Sequence, residues 1–239
     1  RGAQISGGSR AIELGLITLE NTKKLANIML FISMIFLVMV CCNSYLITNS
    51  FSNIKSMGLI ALIGSLLGYF YTAKPIRLSG RKGLGELTIF LSFGPLLTVG
   101  SAIAMSTNTI VLDYQNLRDF ILIGIPLGLL TTNILFINQF PDYNSDKISG
   151  KINLVVLFGK KLSRWIFLLN VTLTIFFSYF LKNVISSKVL NFNETAYSVI
   201  ISILALYGII ISLGLFKNYN KRSLVYFNIQ TIYYQIFFC

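Results

Sequence analysis

Seven apolar runs constrain this chain more than any other feature of its sequence. They cover residues 27–47, 57–73, 86–106, 119–139, 165–185, 196–216 and 224–238. About 20 helical residues cross a hydrocarbon core of about 30 Å, so runs of this length suit a membrane. A membrane-spanning segment must satisfy the hydrogen bonds of its backbone within the protein, as a helix or a closed barrel does. The runs lack the alternation of apolar and polar residues that barrel strands show, so helices are expected. With a mean hydropathy of +0.73, the sequence predicts an all-α, polytopic transmembrane helical bundle of about seven helices.

The distribution of basic residues predicts which loops share one side of the membrane. The chain has 20 Lys and Arg and a net charge of +12. Of these, 16 lie in alternate segments between the runs and 4 lie in the others. By the positive-inside rule, the N-terminal segment, the 74–85 loop and the 140–164 loop are cytoplasmic. Topology thus explains most of the excess charge, and we expect the lipid bilayer as a partner and no nucleic acid.

Three oxygen-bearing side chains are spaced four apart in the stretch "INQFPDYNSDKISGK". Asn138, Asp142 and Asp146 would line one face of a helix. Magnesium is typically held by one or two carboxylates plus substrate phosphates, which suits such a face. Pro141 would kink the helix or start a new one, so the alignment of the three stays open. The alternative is a pair of solvated carboxylates that contact Lys147 or Lys151 for little energy.

A second loop, "YTAKPIRLSGRKGLGE", carries basic residues on the same side of the membrane. Lys74 and Arg77, with Tyr71, are positioned to grip a diphosphate through charge-assisted hydrogen bonds. The positive-inside rule alone would also place basic residues here, and we favour that explanation for Arg81 and Lys82. The opening "RGAQISGGSR", which contains Arg10, suits either an anion-binding backbone or a flexible connector.

Taken together, these segments resemble the UbiA-type prenyltransferase superfamily of intramembrane enzymes. "NQFPDYNSD" matches the second aspartate-rich motif of that family, and "GKINLVVLFGKK" resembles its continuation. "YTAKPIRLSGRKGLGELTIFLSFGP" is similar to a segment of the branch that prenylates dihydroxynaphthoate. "RGAQISGGSR" resembles the sequence just downstream of the first aspartate-rich motif. Two positions depart from the family pattern, since Asn153 replaces the usual threonine and Leu157 the usual arginine.

The resemblance implies an aromatic prenyltransferase with Mg²⁺ as its cofactor. Such an enzyme moves a polyprenyl group from polyprenyl diphosphate to an aromatic acceptor, here 1,4-dihydroxy-2-naphthoate on the way to menaquinone or phylloquinone. We assign catalysis to Asp142, Asp146 and Lys74, and metal binding to Asp142, Asp146 and Asn138. The residues assigned to substrate binding are Asn138, Tyr71, Arg77, Lys147, Lys151 and Arg10.

Other functions compete with this interpretation. The acceptor is alternatively 4-hydroxybenzoate or another aromatic, as in ubiquinone synthesis. A CDP-alcohol phosphotransferase is disfavoured because the chain has no Asp-Gly or Ala-Arg pair. A transporter or membrane scaffold is disfavoured because the acidic residues lie at a helix end and not at the bilayer midplane.

The resemblance also predicts how much of the family domain is present. We expect residues 1–239 to form a single membrane domain that is truncated at both ends. The first aspartate-rich motif and the first two of the family's nine helices would then be absent. We therefore expect residues 1–239 alone to be inactive.

Overall fold

The computed structural model describes residue 12 and residues 15–106, 114–186, 192–221 and 223–239. Its helices are α1 (Leu19–Thr48), α2 (Phe51–Thr72), α3 (Leu84–Leu91), α4 (Leu97–Met105), α5 (Tyr114–Ile148), α6 (Leu154–Ser186), α7 (Glu194–Asn218) and α8 (Leu224–Phe238). A 3-10 helix, Leu78–Gly80, precedes α3, and a π-helical segment, Ser92–Leu96, joins α3 to α4. No strand is found in the residues that the structure describes. The predicted all-α class is confirmed.

Within the part of the chain that the structure describes, six helical segments are long and apolar enough to cross a membrane. They are Leu19–Thr48, Phe51–Thr72, Leu84–Met105, Gln115–Ile148, Leu154–Ser186 and Glu194–Asn218. The predicted run at 224–238 is also helical, although α8 has only 15 residues. The chain is therefore an integral membrane protein with the polytopic bundle that the apolar runs predicted.

Helix α5 occupies the centre of the bundle. It packs against α3, α4, α6 and α8, and half of its most apolar stretch is buried. Its side chains Leu130, Phe136, Ile137 and Phe140 are at most 1% exposed. By contrast, α1 packs mainly on α2 and α4, and its most apolar stretch has no buried residue. The acidic residues predicted to bind metal thus lie on the most enclosed helix.

The broken helix α3–α4 crosses α5 with backbone against backbone. Gly94 has non-helical dihedral angles (φ −107°, ψ −106°) just before Pro95. A Cβ atom on Gly94 would lie 2.5 Å from the carbonyl oxygen of Gly124, and one on Gly128 would lie 2.5 Å from that of Phe90. Small residues allow such close approach between membrane helices. This glycine crossing therefore holds α3 directly on α5.

The connection between α5 and α6 is much shorter than the sequence suggested. We expected a loop at about 140–164, but α5 continues through Pro141 to Ile148 and α6 begins at Leu154. The apolar runs stop short of these helix ends because polar residues interrupt the last turns of α5 and, at Lys160 and Lys161, the beginning of α6. Helix α6 also departs from helical geometry at Gly159 (φ 74°, ψ 155°). The side chains of Phe140 and Val155 are fully buried and hold these turns in the bundle. The acidic motif therefore lies on a helix, and the loop spans residues 149–153.

Candidate functional site

Asn138, Asp142 and Asp146 lie on one continuous helix. Because α5 includes Pro141, the alignment that the proline left open is present. Positions four apart share one face, and a rise of 1.5 Å per residue places the first and third about 12 Å apart along the axis. Asp142 and Asp146 are both partly buried. Two carboxylates thus point from the same end of the central helix.

The carboxylate of Asp146 is held by the loop that follows α5. Its Oδ2 atom accepts a hydrogen bond from Nδ2 of Asn153 at 2.7 Å and lies 3.2 Å from Nζ of Lys151. The backbone amide of Lys151 also donates to the carbonyl oxygen of Asp146 at 2.9 Å. The ion pair is largely shielded, with 13% of the Asp146 side chain and 26% of the Lys151 side chain exposed. The orientation of this carboxylate is therefore set by its neighbours.

The side chain of Asn138 links α5 to α8. Its Nδ2 donates to the carbonyl oxygen of Ile134 at 2.9 Å, and its Oδ1 accepts from Nδ2 of Asn228 at 2.8 Å. Further along the same pair of helices, Gln235 donates to the hydroxyl oxygen of Thr131 at 2.9 Å. A metal bound at Asn138 would share its amide oxygen with Asn228. Asn138 therefore lies on the same face of α5 as the two aspartates, but its side chain is already engaged in the contact with Asn228 of α8.

The basic loop between α2 and α3 meets the acidic end of α5. The backbone amide of Ile152 donates to the carbonyl oxygen of Gly80 at 3.0 Å. Lys74 and Arg77 are exposed and line a pocket of about 360 Å³ together with Gly150. Lys151 follows Gly150 directly. Basic side chains of the loop between α2 and α3 therefore line a pocket that also reaches Gly150, four residues after Asp146.

Arg81 has a structural role that the sequence did not reveal. Its guanidinium donates to the carbonyl oxygens of Pro75 at 3.0 Å and of Ile76 at 2.5 Å. These bonds stabilise the turn in which Arg77 adopts a positive φ of 43°. Arg81 thus shapes the turn between Lys74 and the 3-10 helix, whereas Lys82 is exposed.

Of the other predicted site residues, Tyr71 and Lys147 do not line the pocket beside Lys74 in the part of the chain that the structure describes. Tyr71 lies in the last turn of α2, half-buried and within electrostatic range of Glu86. Lys147 is exposed in the last turn of α5. Arg10 lies outside the described residues.

Glu86, Gln139 and Asn153 are part of the site's framework, and sequence reasoning did not single them out for this role. Glu86 is only 4% exposed, and its Oε1 accepts hydrogen bonds from Nε2 of Gln139 and from the backbone amide of Leu154, both at 2.8 Å. A buried carboxylate requires such donors. The available signal was an acidic residue at the very start of an apolar run. Through Glu86, the first turns of α3 and α6 are joined to α5.

The donor set fits one particular kind of metal binding. Within the described ranges, no group of three or more His, Cys, Asp and Glu side chains is placed to hold a metal. Asp142 and Asp146 supply two carboxylates. Magnesium binds through one or two carboxylates and completes its shell with water and substrate phosphates. The residues present therefore fit a magnesium diphosphate complex better than an ion enclosed by protein ligands alone.

The sequence of this chain matches the model of one protein family over most of its length. The model of the UbiA prenyltransferase family matches residues 8–232. The chain belongs to the UbiA prenyltransferase family. Its resemblance to that superfamily is thereby confirmed, and the acidic end of α5 and the basic loop both lie inside the matched UbiA region. No solved structure matches the chain.

Several characterised relatives of this UbiA chain are similar over part of their length. UbiA prenyltransferase domain-containing protein 1 of Dictyostelium discoideum is 38% identical over 102 residues, which are 43% of this chain and 28% of that protein. The 1,4-dihydroxy-2-naphthoate octaprenyltransferase of Escherichia coli (strain K12) is 29% identical over 157 residues, 64% of this chain and 46% of that protein. The 2-carboxy-1,4-naphthoquinone phytyltransferase of Synechocystis sp. is 31% identical over 109 residues, 46% of this chain and 33% of that protein. The matches thus span less than half of each relative. The names of the Escherichia coli and Synechocystis proteins support the naphthoate branch.

Proposed function

We propose that this chain forms the catalytic bundle of an intramembrane aromatic prenyltransferase. Its substrates are a polyprenyl diphosphate and an aromatic acceptor, which we propose to be 1,4-dihydroxy-2-naphthoate in menaquinone or phylloquinone biosynthesis. The observation that carries this proposal is the contact between the Ile152 amide and the Gly80 carbonyl. It joins a basic loop to the acidic end of α5, as a metal-bound diphosphate requires.

The basic side chains around the pocket are suited to a diphosphate. Lys74 and Arg77 are exposed and line it, and Lys151 follows the lining residue Gly150 in the chain. Ammonium and guanidinium groups form short, charge-assisted hydrogen bonds to phosphate oxygens. In the proposed complex they bind the diphosphate and orient its prenyl end towards the helices. Magnesium held by Asp142 and Asp146 would supply further charge neutralisation for the departing diphosphate.

The transfer replaces a carbon–oxygen bond with a carbon–carbon bond. The bond between the allylic carbon and the diphosphate breaks, and its electron pair leaves with the diphosphate. An electron-rich ring carbon of the acceptor supplies the pair for the new bond, and the ring then loses its proton to the departed diphosphate. The apolar bundle excludes water from the allylic cation. Aromatic residues, which make up 13% of the chain, are available for cation–π stabilisation.

We also propose that the site opens on the cytoplasmic side of the membrane. The loops at residues 73–83 and 149–153 lie at the same end of the bundle because the Ile152–Gly80 contact joins them. These loops belong to the segments that hold 16 of the 20 basic residues. The positive-inside rule assigns such an end to the cytoplasm.

An acceptor panel tests the proposed activity. Membranes that contain the complete protein are incubated with a labelled prenyl diphosphate, Mg²⁺ and either 1,4-dihydroxy-2-naphthoate or 4-hydroxybenzoate. We expect a prenylated naphthoate product, identified by its mass, that disappears when EDTA is added. A product from 4-hydroxybenzoate alone would refute the naphthoate assignment. Absence of any prenylated product would refute the transferase itself.

A further inference from the structure

We propose that Asn153 is a positioning residue that fixes the carboxylate of Asp146 for metal binding. This inference rests on the proposed function, because it assumes that Asp146 is a metal ligand. Nδ2 of Asn153 donates to Oδ2 of Asp146 at 2.7 Å, and Asn153 is only 1% exposed. Water therefore does not compete for this bond, and the Asp146 carboxylate is held in one orientation.

The other end of the same amide has a separate task. Oδ1 of Asn153 accepts a hydrogen bond from the backbone amide of Val156 at 2.8 Å, which makes Asn153 the N-cap of α6. Serine, threonine and aspartate also cap helices well, so capping alone does not call for asparagine. Asparagine carries an NH₂ donor on the opposite side of its side chain from the capping oxygen. That donor reaches Asp146, so one side chain both caps α6 and holds the carboxylate.

The distribution of contacts on Asp146 indicates which oxygen is offered. Both Asn153 and Lys151 contact Oδ2. Rotation of the carboxylate would break both contacts, so Oδ2 stays with the loop and Oδ1 is the oxygen presented to a metal. Hydrogen bonds to a ligating carboxylate typically change metal affinity or activity by about 10–100-fold when removed.

The support on which Asn153 lies is itself fixed. The next residue, Leu154, donates its backbone amide to the buried Oε1 of Glu86, and that oxygen also accepts from Gln139 of α5. The start of α6 is therefore tied to the same helix that carries Asp146. Asn153 bridges two segments that are already held together by Glu86. Its bond to Asp146 therefore sets the orientation of the Asp146 carboxylate and is not needed to hold α5 and α6 in contact.

A matched pair of cap variants separates positioning from capping. Asn153→Gly removes the donor to Asp146, and glycine at an N-cap costs only a few tenths of a kcal/mol relative to asparagine. Asn193→Gly is the control, because Asn193 caps α7 through a 2.9 Å bond from the Ala196 amide. Both variants lose one asparagine cap, but only Asn153 contacts Asp146.

The measurement is Mn²⁺ binding to the complete protein in detergent, followed through the electron paramagnetic resonance signal of free Mn²⁺. We expect the Kd to rise about tenfold in Asn153→Gly and to stay at the wild-type value in Asn193→Gly. Purified yield and Tm report whether each variant folds, since Asn153 is buried and Asn193 is exposed. The Mg²⁺ concentration that gives half-maximal prenyl transfer should rise by the same factor. Wild-type Mn²⁺ affinity in Asn153→Gly, with affinity lost in Asp146→Asn, would overturn this inference alone. Equal affinity in wild type and Asp146→Asn would overturn the metal role of Asp146 and the inference with it.

Discussion

The side chains of Glu86 and Gln139, 53 residues apart in the chain, meet in a buried hydrogen bond of 2.8 Å. The same oxygen of Glu86 accepts the backbone amide of Leu154. An ionisable side chain inside a membrane bundle is costly unless it is paired, and it usually marks a functional region. Here it joins three helices directly beside the acidic face of α5.

Removal of either carboxylate from α5 should abolish most of the activity. We expect Asp142→Asn and Asp146→Asn in the complete protein to lower kcat for prenyl transfer by orders of magnitude, because each loses a hard ligand for magnesium. Asn144→Ala, at an exposed position on the same helix, is the control and should keep wild-type activity. Purified yield and Tm report whether the variants fold. Wild-type turnover in either aspartate variant would rule out the metal role.

Loss of charge from the basic loop should weaken diphosphate binding. Hydrogen bonds to charged groups contribute about 1.5–3 kcal/mol, so Lys74→Gln or Arg77→Gln should raise KM for the prenyl diphosphate about tenfold or more. The KM for the acceptor should change little. Lys82→Gln is the matched control, since Lys82 is exposed in the same loop but does not line the pocket. An equal rise in KM for all three variants would indicate a general effect of loop charge.

Labelling of introduced cysteines tests the topology. In a variant that lacks Cys41, Cys42 and Cys239, we expect cysteines at Lys82 and Ser145 to react from the cytoplasmic side. A cysteine at Thr195, in the first turn of α7, should react only from the opposite side. A membrane-impermeant maleimide added to intact cells or to inverted vesicles distinguishes the two sides. Reaction of positions 82 and 195 from one side would contradict the helix arrangement.

The glycine crossing should not tolerate a methyl group. Gly128→Ala is expected to lower the free energy of unfolding by about 1–3 kcal/mol, because its Cβ would collide with the backbone of Phe90. Gly68→Ala is the control, since a Cβ there meets nothing within 4 Å and alanine favours the helix. Thermal unfolding in detergent measures both. Equal Tm values for the two variants would show that α3 and α5 are not in close contact.

The apolar runs were sufficient to predict the bundle, but not the extent of its helices. Hydropathy detects long continuous apolar stretches, so it missed the polar last turns of α5 and the beginning of α6, where Lys160 and Lys161 interrupt the apolar residues. The spacing of Asp142 and Asp146 was visible because it is local. The contact between Asn138 and Asn228, 90 residues apart, was not, because one sequence does not reveal which distant residues meet. Arg81 was hidden for a different reason, since its basic charge already had an explanation in topology.

The two attachments between α3 and α5 have a mechanical consequence. Gly94 meets Gly128 near the middle of the apolar segment Leu84–Met105, and Glu86, about 12 Å further along the helix, is bonded to Gln139 near the end of α5. A rod that is pinned at two points neither slides nor tilts against its neighbour. The basic loop, which is anchored at the start of α3, therefore keeps a constant distance from the acidic end of α5. Adaptation to a ligand there falls to the long, exposed side chains of Lys74 and Arg77, while Lys151 is paired with Asp146.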